Sequence, residues 1–516
     1  MEVPATPGDS ACRLSAVDAG FLYLERKEIP LHMAIVAIFD GPIPFDLFAA
    51  QIESKLPLIP RYRQVVHASP YNLGHPTWEE DPHFDIRRHI FRVNVDPPGG
   101  QAELEALAGR ILTPLMDRSK PLWDFYIVDG LKDGRGALIA RMHHALADGI
   151  LGTELLRLLL AATPEGSVAL RKPRARRRKT PASSPSIVDA VVTVVEGSLQ
   201  GLMAAEQGLL NLAESLLGDG QDDLKGLVDL LPEFARSVER LPFNKPCGGE
   251  RKFCCAELDL ADVQAIRQAA GGTVNDVILT LLTRALARYT KLHKESVVNR
   301  FVRIVCPVNL RRGQQGTAGN ELSFLPVALP MDVGDPVRML QAVSARTEAM
   351  KRGKAADMVA LAASCIAAVP PALQELFWKG ISQITLPLPL FNIICTNVGG
   401  LSPVPLYAAG RRMIASYPQV PTGYELGIGC AVQSYAGKLL FGLIADEQVA
   451  PDVNRLRDFL YVSFRELYRA AHIKKPRQVR PRRTKSKSAG PDQMKPSEPV
   501  EQVPSESAPV ALVNVA

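Results

Sequence analysis

The apolar run Ala137-Leu138-Ile139-Ala140 constrains this chain more than any other stretch, because it leads directly into Arg141-Met142-His143-His144-Ala145-Leu146-Ala147-Asp148-Gly149. An unbroken run of this kind reads as a buried strand, and the polar residues after it place a turn at its end. A fold built on it delivers two imidazoles and a carboxylate to one strand terminus. A neutral imidazole can take a proton from a hydroxyl, thiol or amine near physiological pH. His144 is the candidate base, since a strand end is a rigid support, and His143 is expected to orient it or line the wall. Asp148 opens an apolar helix expected over Ile150–Ala162, where free amides and the helix dipole favour a carboxylate. It therefore reads as a helix cap as well as a site residue. The histidine pair also fits metal binding, although no nearby third ligand is evident, or two plain core residues.

At 516 residues the chain exceeds what one core usually fills, so two packed units are expected. Its net charge of +6 is misleading. Arg171–Lys179 carries seven basic residues and Lys474–Lys487 eight, with no acid in either run, so the remainder is net acidic. No recognition motif accompanies these runs, and nucleic acid is not expected as a partner. The eight cysteines show no zinc spacing and no secreted disulfide framework. Met1–Ser10 lacks the basic and apolar regions of a signal peptide, which points to a cytoplasmic setting. The longest uncharged stretch, Ile381–Gly410, is rich in Pro, Gly, Asn and Thr and reads as consecutive core strands rather than a spanning helix.

In chain order, Ser15 is placed to cap a short helix carrying Phe21 and Leu24 inward. A strand follows over Ala34–Phe39, helical spacing over Phe45–Leu56, irregular structure with a short strand over Trp78–Phe91, a helix over Ala102–Leu112 and a strand over Asp124–Val128. The Pro, Arg, Lys and Ser composition of Thr163–Ser186 reads as a linker, followed by helical spacing over Ile187–Leu216 and Leu224–Phe234. Acidic residues on the polar face of the first of these helices favour packing on the protein itself over membrane contact. The second half is expected to hold a strand over Phe253–Leu258, then a helix over Leu260–Ala270 capped by Asp259 and ended by Gly271-Gly272. Thr273-Val274-Asn275-Asp276 caps a long helix through Tyr289. Later come a strand over Phe301–Val308, helices over Pro336–Arg352 and Ala355–Leu376, and strands near Asn392–Asn397, Ile414–Tyr417, Leu426–Gln433 and Lys438–Ile444. The last two strands form a hairpin, an amphipathic helix spans Pro451–His472, and Ile473–Ala516 is expected to be disordered.

No G-x-S-x-G, H-E-x-x-H, G-K-[ST] or strand-following G-x-G-x-x-G motif is present, which removes the common serine-hydrolase, zinc-protease, phosphate-loop and dinucleotide readings. His143-His144-x-x-x-Asp148-Gly149 matches the HHxxxDG signature of CoA-dependent acyltransferases and peptide-synthetase condensation domains. Leu14-Ser15 with Asp18 and Phe21, Pro121-Leu122-Trp123, Asn275-Asp276-Val277 and Asn397-Val398-Gly399-Gly400 occur with it in order. Together they resemble the bacterial wax ester synthase/acyl-CoA:diacylglycerol acyltransferase family. The linker looks long for that family, and the tail is an addition.

The resemblance implies two chloramphenicol-acetyltransferase-like α/β layered domains at 12–165 and 246–472, joined by a basic and helical linker at 166–245 and followed by a tail at 473–516. It also implies a tunnel that admits acyl-CoA on one side and a diacylglycerol or long-chain alcohol on the other, with acyl-CoA as substrate and no cofactor. Within that tunnel His144 is the base and His143 and Asp148 hold the geometry. Gly149, Asn275 and Asp276 are supporting motif residues, with a helix cap as the alternative role for the last two. Pro121, Leu122 and Trp123 shape the pocket, although a buried Trp is more often core. Peripheral contact with the inner membrane or lipid inclusions is a further implication. A condensation-type enzyme with a carrier-bound donor, and a non-catalytic lipid-binding or scaffold protein, are the competing readings.

Overall fold

The computed structural model describes residues 13–69, 74–146, 156–168, 238–309, 322–352, 371–381, 389 and 391–472. The central strand is realised as β6, Gly136–His143, buried at all eight positions. Such complete burial explains why its sequence is a continuous apolar run rather than an alternation. Its neighbours are β1, His32–Phe39, and β5, Trp123–Asp129, both antiparallel to it. Outside these lie β4, Ile90–Asn94, parallel to β5, and β12, Arg411–Gln419, antiparallel to β1, with β11, Tyr407–Ala408, at the far edge. The six-stranded order is β11-β12-β1-β6-β5-β4, so strands from the end of the sequence complete the sheet that carries the histidines. A separate ribbon pairs β2, Gln64–His67, with β3, Thr77–Glu80.

The second six-stranded sheet contains β7, Arg251–Asp259; β8, Phe301–Asn309; β9, Leu322–Pro330; β10, Ile393–Val398; β13, Ile428–Tyr435; and β14, Lys438–Asp446. Its order is β7-β14-β13-β10-β8-β9, with β10 parallel to both neighbours. β13 and β14 form the expected hairpin. Ala436 and Gly437 both have positive φ, 50° and 77°, as a two-residue primed turn requires. The helix Val274–Leu292 is buried along most of its length and shares a core with Val343, Leu456 and Leu460 of the helices Pro336–Arg352 and Val453–Ala470. Gly442 is where β14 meets β12: a Cβ there would stand 1.8 Å from the Pro418 carbonyl oxygen, so only glycine allows the approach.

Several local expectations need correction. Trp78–Phe91 contributes to two strands, β3 and the start of β4, because each finds a partner that the sequence does not reveal. Asp259 stands at the N-cap position, but its side chain makes no cap hydrogen bond. That residue is still the last of β7 and is paired with Lys438, so its backbone is set by the sheet. Among its described residues Ile381–Gly410 holds two successive strands, β10 and the two-residue β11, separated by irregular chain, and no helix long and apolar enough to cross a membrane. Of the helix expected over Ala355–Leu376, residues 355–370 lie outside the described residues, and the helix described there spans Pro371–Ile381. Asp148, Gly149, the tail and all but the ends of the linker lie outside the described residues.

Candidate active site

His143 is the last residue of β6, and the backbone holds it on both sides. Its N–H donates to Leu122 O at 3.0 Å, and its register partner on β1 is His32. The side chain is 0% exposed. The Ala145 N–H donates to Nδ1 at 3.0 Å, so Nδ1 carries no proton and Nε2 must carry it in the neutral ring. Nε2 lies 3.2 Å from Oε1 of Glu25, whose side chain is 1% exposed. Glu25 also accepts from Arg118 Nη2 at 2.9 Å and from the Leu31 N–H at 3.2 Å. Burial alone would raise its carboxyl, but His143 and Arg118 beside it hold it down at about 2. Glu25 is therefore a buried carboxylate that faces the Nε2 edge of the His143 ring.

His144 differs from its neighbour in being half-buried. Its N–H donates to Leu31 O at 2.9 Å, and its ring stacks on Phe21 with centroids 4.1 Å apart and planes at 22°. Burial, and next the adjacent His143, push its imidazole down to about 4. It is consequently neutral at pH 7, with no proton blocking its action as an acceptor. Phe21 reaches it from the helix Ala16–Leu24, which starts where expected, with Ser15 Oγ accepting from the Asp18 N–H at 3.0 Å.

A layer of buried charge lies beneath. Asp124 accepts from Arg141 Nη2 and Lys120 Nζ, each at 2.8 Å, and Arg141 Nη1 also donates to the carbonyls of Ile111 and Pro114. His32 hydrogen-bonds Leu112 O through Nε2 at 2.9 Å and is pushed down to about 3 by burial and then by Arg141. Glu25, Arg118, His32 and the Asp124 cluster escape sequence reasoning because each lies far along the chain from the motif it serves. The only local hint is Glu25 directly following the helix that bears Phe21.

The other residues singled out by sequence occupy distinct places. Pro121, Leu122 and Trp123 are buried at the start of β5. Leu122 O holds the His143 backbone, while Trp123 is 0% exposed, donates Nε1–H to Tyr62 O at 2.8 Å and stacks on His89 at 4.2 Å. Asp276 is a cap: Oδ2 accepts from the Thr273 N–H at 2.8 Å, Thr273 Oγ1 accepts in return from the Asp276 N–H at 3.2 Å, and Oδ1 accepts from Thr347 Oγ1 at 2.7 Å. Asn275 Oδ1 accepts from Asn397 Nδ2 at 3.5 Å, which links two of the ordered motifs. Two cavities of about 290 and 510 Å³ flank the helix Gln101–Leu112 against β7, and neither is lined by His143 or His144.

With this geometry, similarity to known proteins becomes informative. The wax ester synthase/diacylglycerol acyltransferase catalytic domain matches residues 14–278, and the WS/DGAT C-terminal domain matches residues 318–468. The chain belongs to the wax ester synthase/diacylglycerol acyltransferase family. It is an acyltransferase with the expected layered α/β architecture. A probable diacylglycerol O-acyltransferase of Mycobacterium tuberculosis is 30% identical over 471 residues, covering 88% of this chain and 98% of that one. A second from the same organism is 27% identical over 454 residues, covering 86% and 93%. Among solved structures, the wax ester synthase/diacylglycerol acyltransferase from Marinobacter aquaeolei VT8 has the same fold, with a TM-score of 0.62, 24% identity and coverage of 89% and 100%. The first condensation domain of the CDA synthetase shares that fold at a TM-score of 0.55 and 14% identity, covering 89% and 97%.

Proposed function

We propose that this acyltransferase moves a long-chain acyl group from CoA to the hydroxyl of a diacylglycerol, a long-chain alcohol or both, in one direct step with His144 as general base. The observation that carries the reading is the contrast between the two histidines. His143 is sealed, with Nδ1 occupied by the Ala145 amide and Nε2 facing Glu25, whereas His144 is half-buried, neutral and positioned by a ring stack. In the reaction His144 takes the hydroxyl proton while the alcohol oxygen forms a bond to the thioester carbon. The carbon–sulfur bond breaks, CoA leaves as thiolate, and the proton passes from the imidazolium to sulfur. A thiol ionises near about 8.5, so a ring held down at about 4 gives its proton readily to that thiolate. No covalent acyl-enzyme and no cofactor take part. Asp148 and Gly149 support the base, and residues 12–165 and 246–472 enclose the substrates between them.

The test is a parallel assay of palmitoyl-CoA with hexadecanol and with diacylglycerol, for wild type and His144→Ala. Loss of roughly 10²–10⁴ in turnover by a folded His144→Ala is expected for removal of a general base. Full turnover by that variant would remove His144 from the role. Capture of a labelled acyl-protein after mixing with acyl-CoA would overturn direct transfer, and turnover only with a carrier-bound donor would replace CoA in the scheme.

A further inference from the structure

The last turn of the helix Ala16–Leu24 and its C-cap residue address both histidines at once. Phe21 and Glu25 stand one turn apart, and the Glu25 N–H donates to Phe21 O at 3.2 Å. The Glu25 carboxylate faces Nε2 of His143, while the Phe21 ring lies over the imidazole of His144 with centroids 4.1 Å apart and planes at 22°. This turn is held from two sides. Arg118 Nη2 donates to Leu22 O at 2.9 Å, and Gly20 packs so closely on Trp378 of the helix Pro371–Ile381 that a Cβ there would stand 3.3 Å from its Nε1. A near-parallel stack covers the face of the His144 ring and leaves the in-plane directions of its nitrogens clear of Phe21, so the contact does not obstruct proton transfer. Among the described residues, the charge that acts on the His144 ring is that of His143, which opposes a second cation, and burial withdraws the water that would solvate one.

We propose that the π face of Phe21 stabilises the imidazolium that forms on His144 as the acceptor hydroxyl loses its proton, which makes Phe21 a positioning residue that also acts electrostatically through the base. This rests on the reading of His144 as that base. An aromatic ring carries the negative part of its quadrupole on its face, and a cation within about 6 Å of the centroid is attracted to it, more strongly when it is desolvated. A neutral imidazole gains much less from the same contact. The stack therefore favours the charged state over the resting one, and an interaction that strengthens toward the transition state accelerates the chemical step. The expected size is about three- to thirtyfold in rate, modest beside general-base catalysis itself. An aliphatic side chain of similar bulk would pack on the imidazole but offer it no such face, so the chemistry of residue 21 matters as well as its volume.

The experiment replaces Phe21 in the full chain by phenylalanines carrying one, two and three ring fluorines, which withdraw charge from the ring face in steps while its shape barely changes. The readout is single-turnover transfer from palmitoyl-CoA to hexadecanol or dioleoylglycerol. The rate should fall further at each step, and the acid limb of its pH profile should move down with it, because a weaker face leaves the imidazolium less stable. Phe21→Leu should show the full loss of about three- to thirtyfold, and Phe21→Tyr should keep most of the rate, with urea midpoints reporting that each variant is folded. A rate indifferent to fluorine number, with His144→Ala inactive, would overturn the inference and leave the base in place. So would a single drop at the first fluorine with no further change, which marks a packing role, or an acid limb that moves up along the series. Full turnover by His144→Ala would remove the base, and the inference with it.

Discussion

At His143 the position of one proton follows from one backbone amide. Because the Ala145 N–H points at Nδ1, the ring proton sits on Nε2, the nitrogen that lies 3.2 Å from Glu25 Oε1. Replacing Glu25 with glutamine preserves shape but removes the charge, so Glu25→Gln should lower kcat by roughly 10²-fold or more with a smaller change in KM, measured by steady-state kinetics. Unchanged kcat would reduce Glu25 to a packing role. For wild type, the acidic limb of the kcat profile should lie well below the ordinary histidine value of about 6.5, because His144 is held at about 4. Stability moves in the same direction. His144 and His32, at about 4 and about 3, bind protons more weakly folded than unfolded. Their contribution is therefore full above about 6.5 and is lost as pH falls from there through the folded values. A urea midpoint that stays level from neutral pH down to 4 would contradict this burial.

The elements that could be read from sequence are those whose signals lie within a few residues. Ser15 three residues before Asp18, and Thr273 three before Asp276, are local cap geometries, and both form as the spacing predicts. Asp276→Ala should cost about 1–2 kcal/mol in urea unfolding through the lost cap, while unfolding of Asp276→Asn should show a smaller loss. If Asp276→Ala kept full stability and lost activity, the cap would not be the residue's main role. Asp259 looked like the same signal and failed, because β7 claims its backbone before the helix begins. Pro121-Leu122-Trp123 shows the same limit from the other direction. Its hydrophobicity was legible, but the fact that Trp123 stacks on His89 while Leu122 O holds His143 depends on the pairing of β5 with β4 on one side and β6 on the other.

Across the molecule, a buried ion pair ties distant segments together. Arg251, at the start of β7, donates to Asp446 at 2.7 Å and to the carbonyls of Glu28 and Thr422, with side-chain exposures of 2% for the arginine and 0% for the aspartate. Arg251→Met leaves Asp446 buried without its cation and should cost about 3–5 kcal/mol in urea unfolding, whereas Arg251→Met/Asp446→Leu should recover much of that loss. A single variant as stable as wild type would mean that water reaches the aspartate. The sequence by itself determined the strand that ends in His143-His144, the helix caps, the β13–β14 hairpin and the ordered motifs that carry the family, because each is written in side-chain chemistry at short separation. Tertiary structure alone decided that β11 and β12 complete the histidine sheet, that Glu25 closes over His143 while His144 stays accessible, and that Phe21 lies over the His144 ring. Those outcomes depend on which surfaces bury each other, and no residue's local pattern names the partner it will meet.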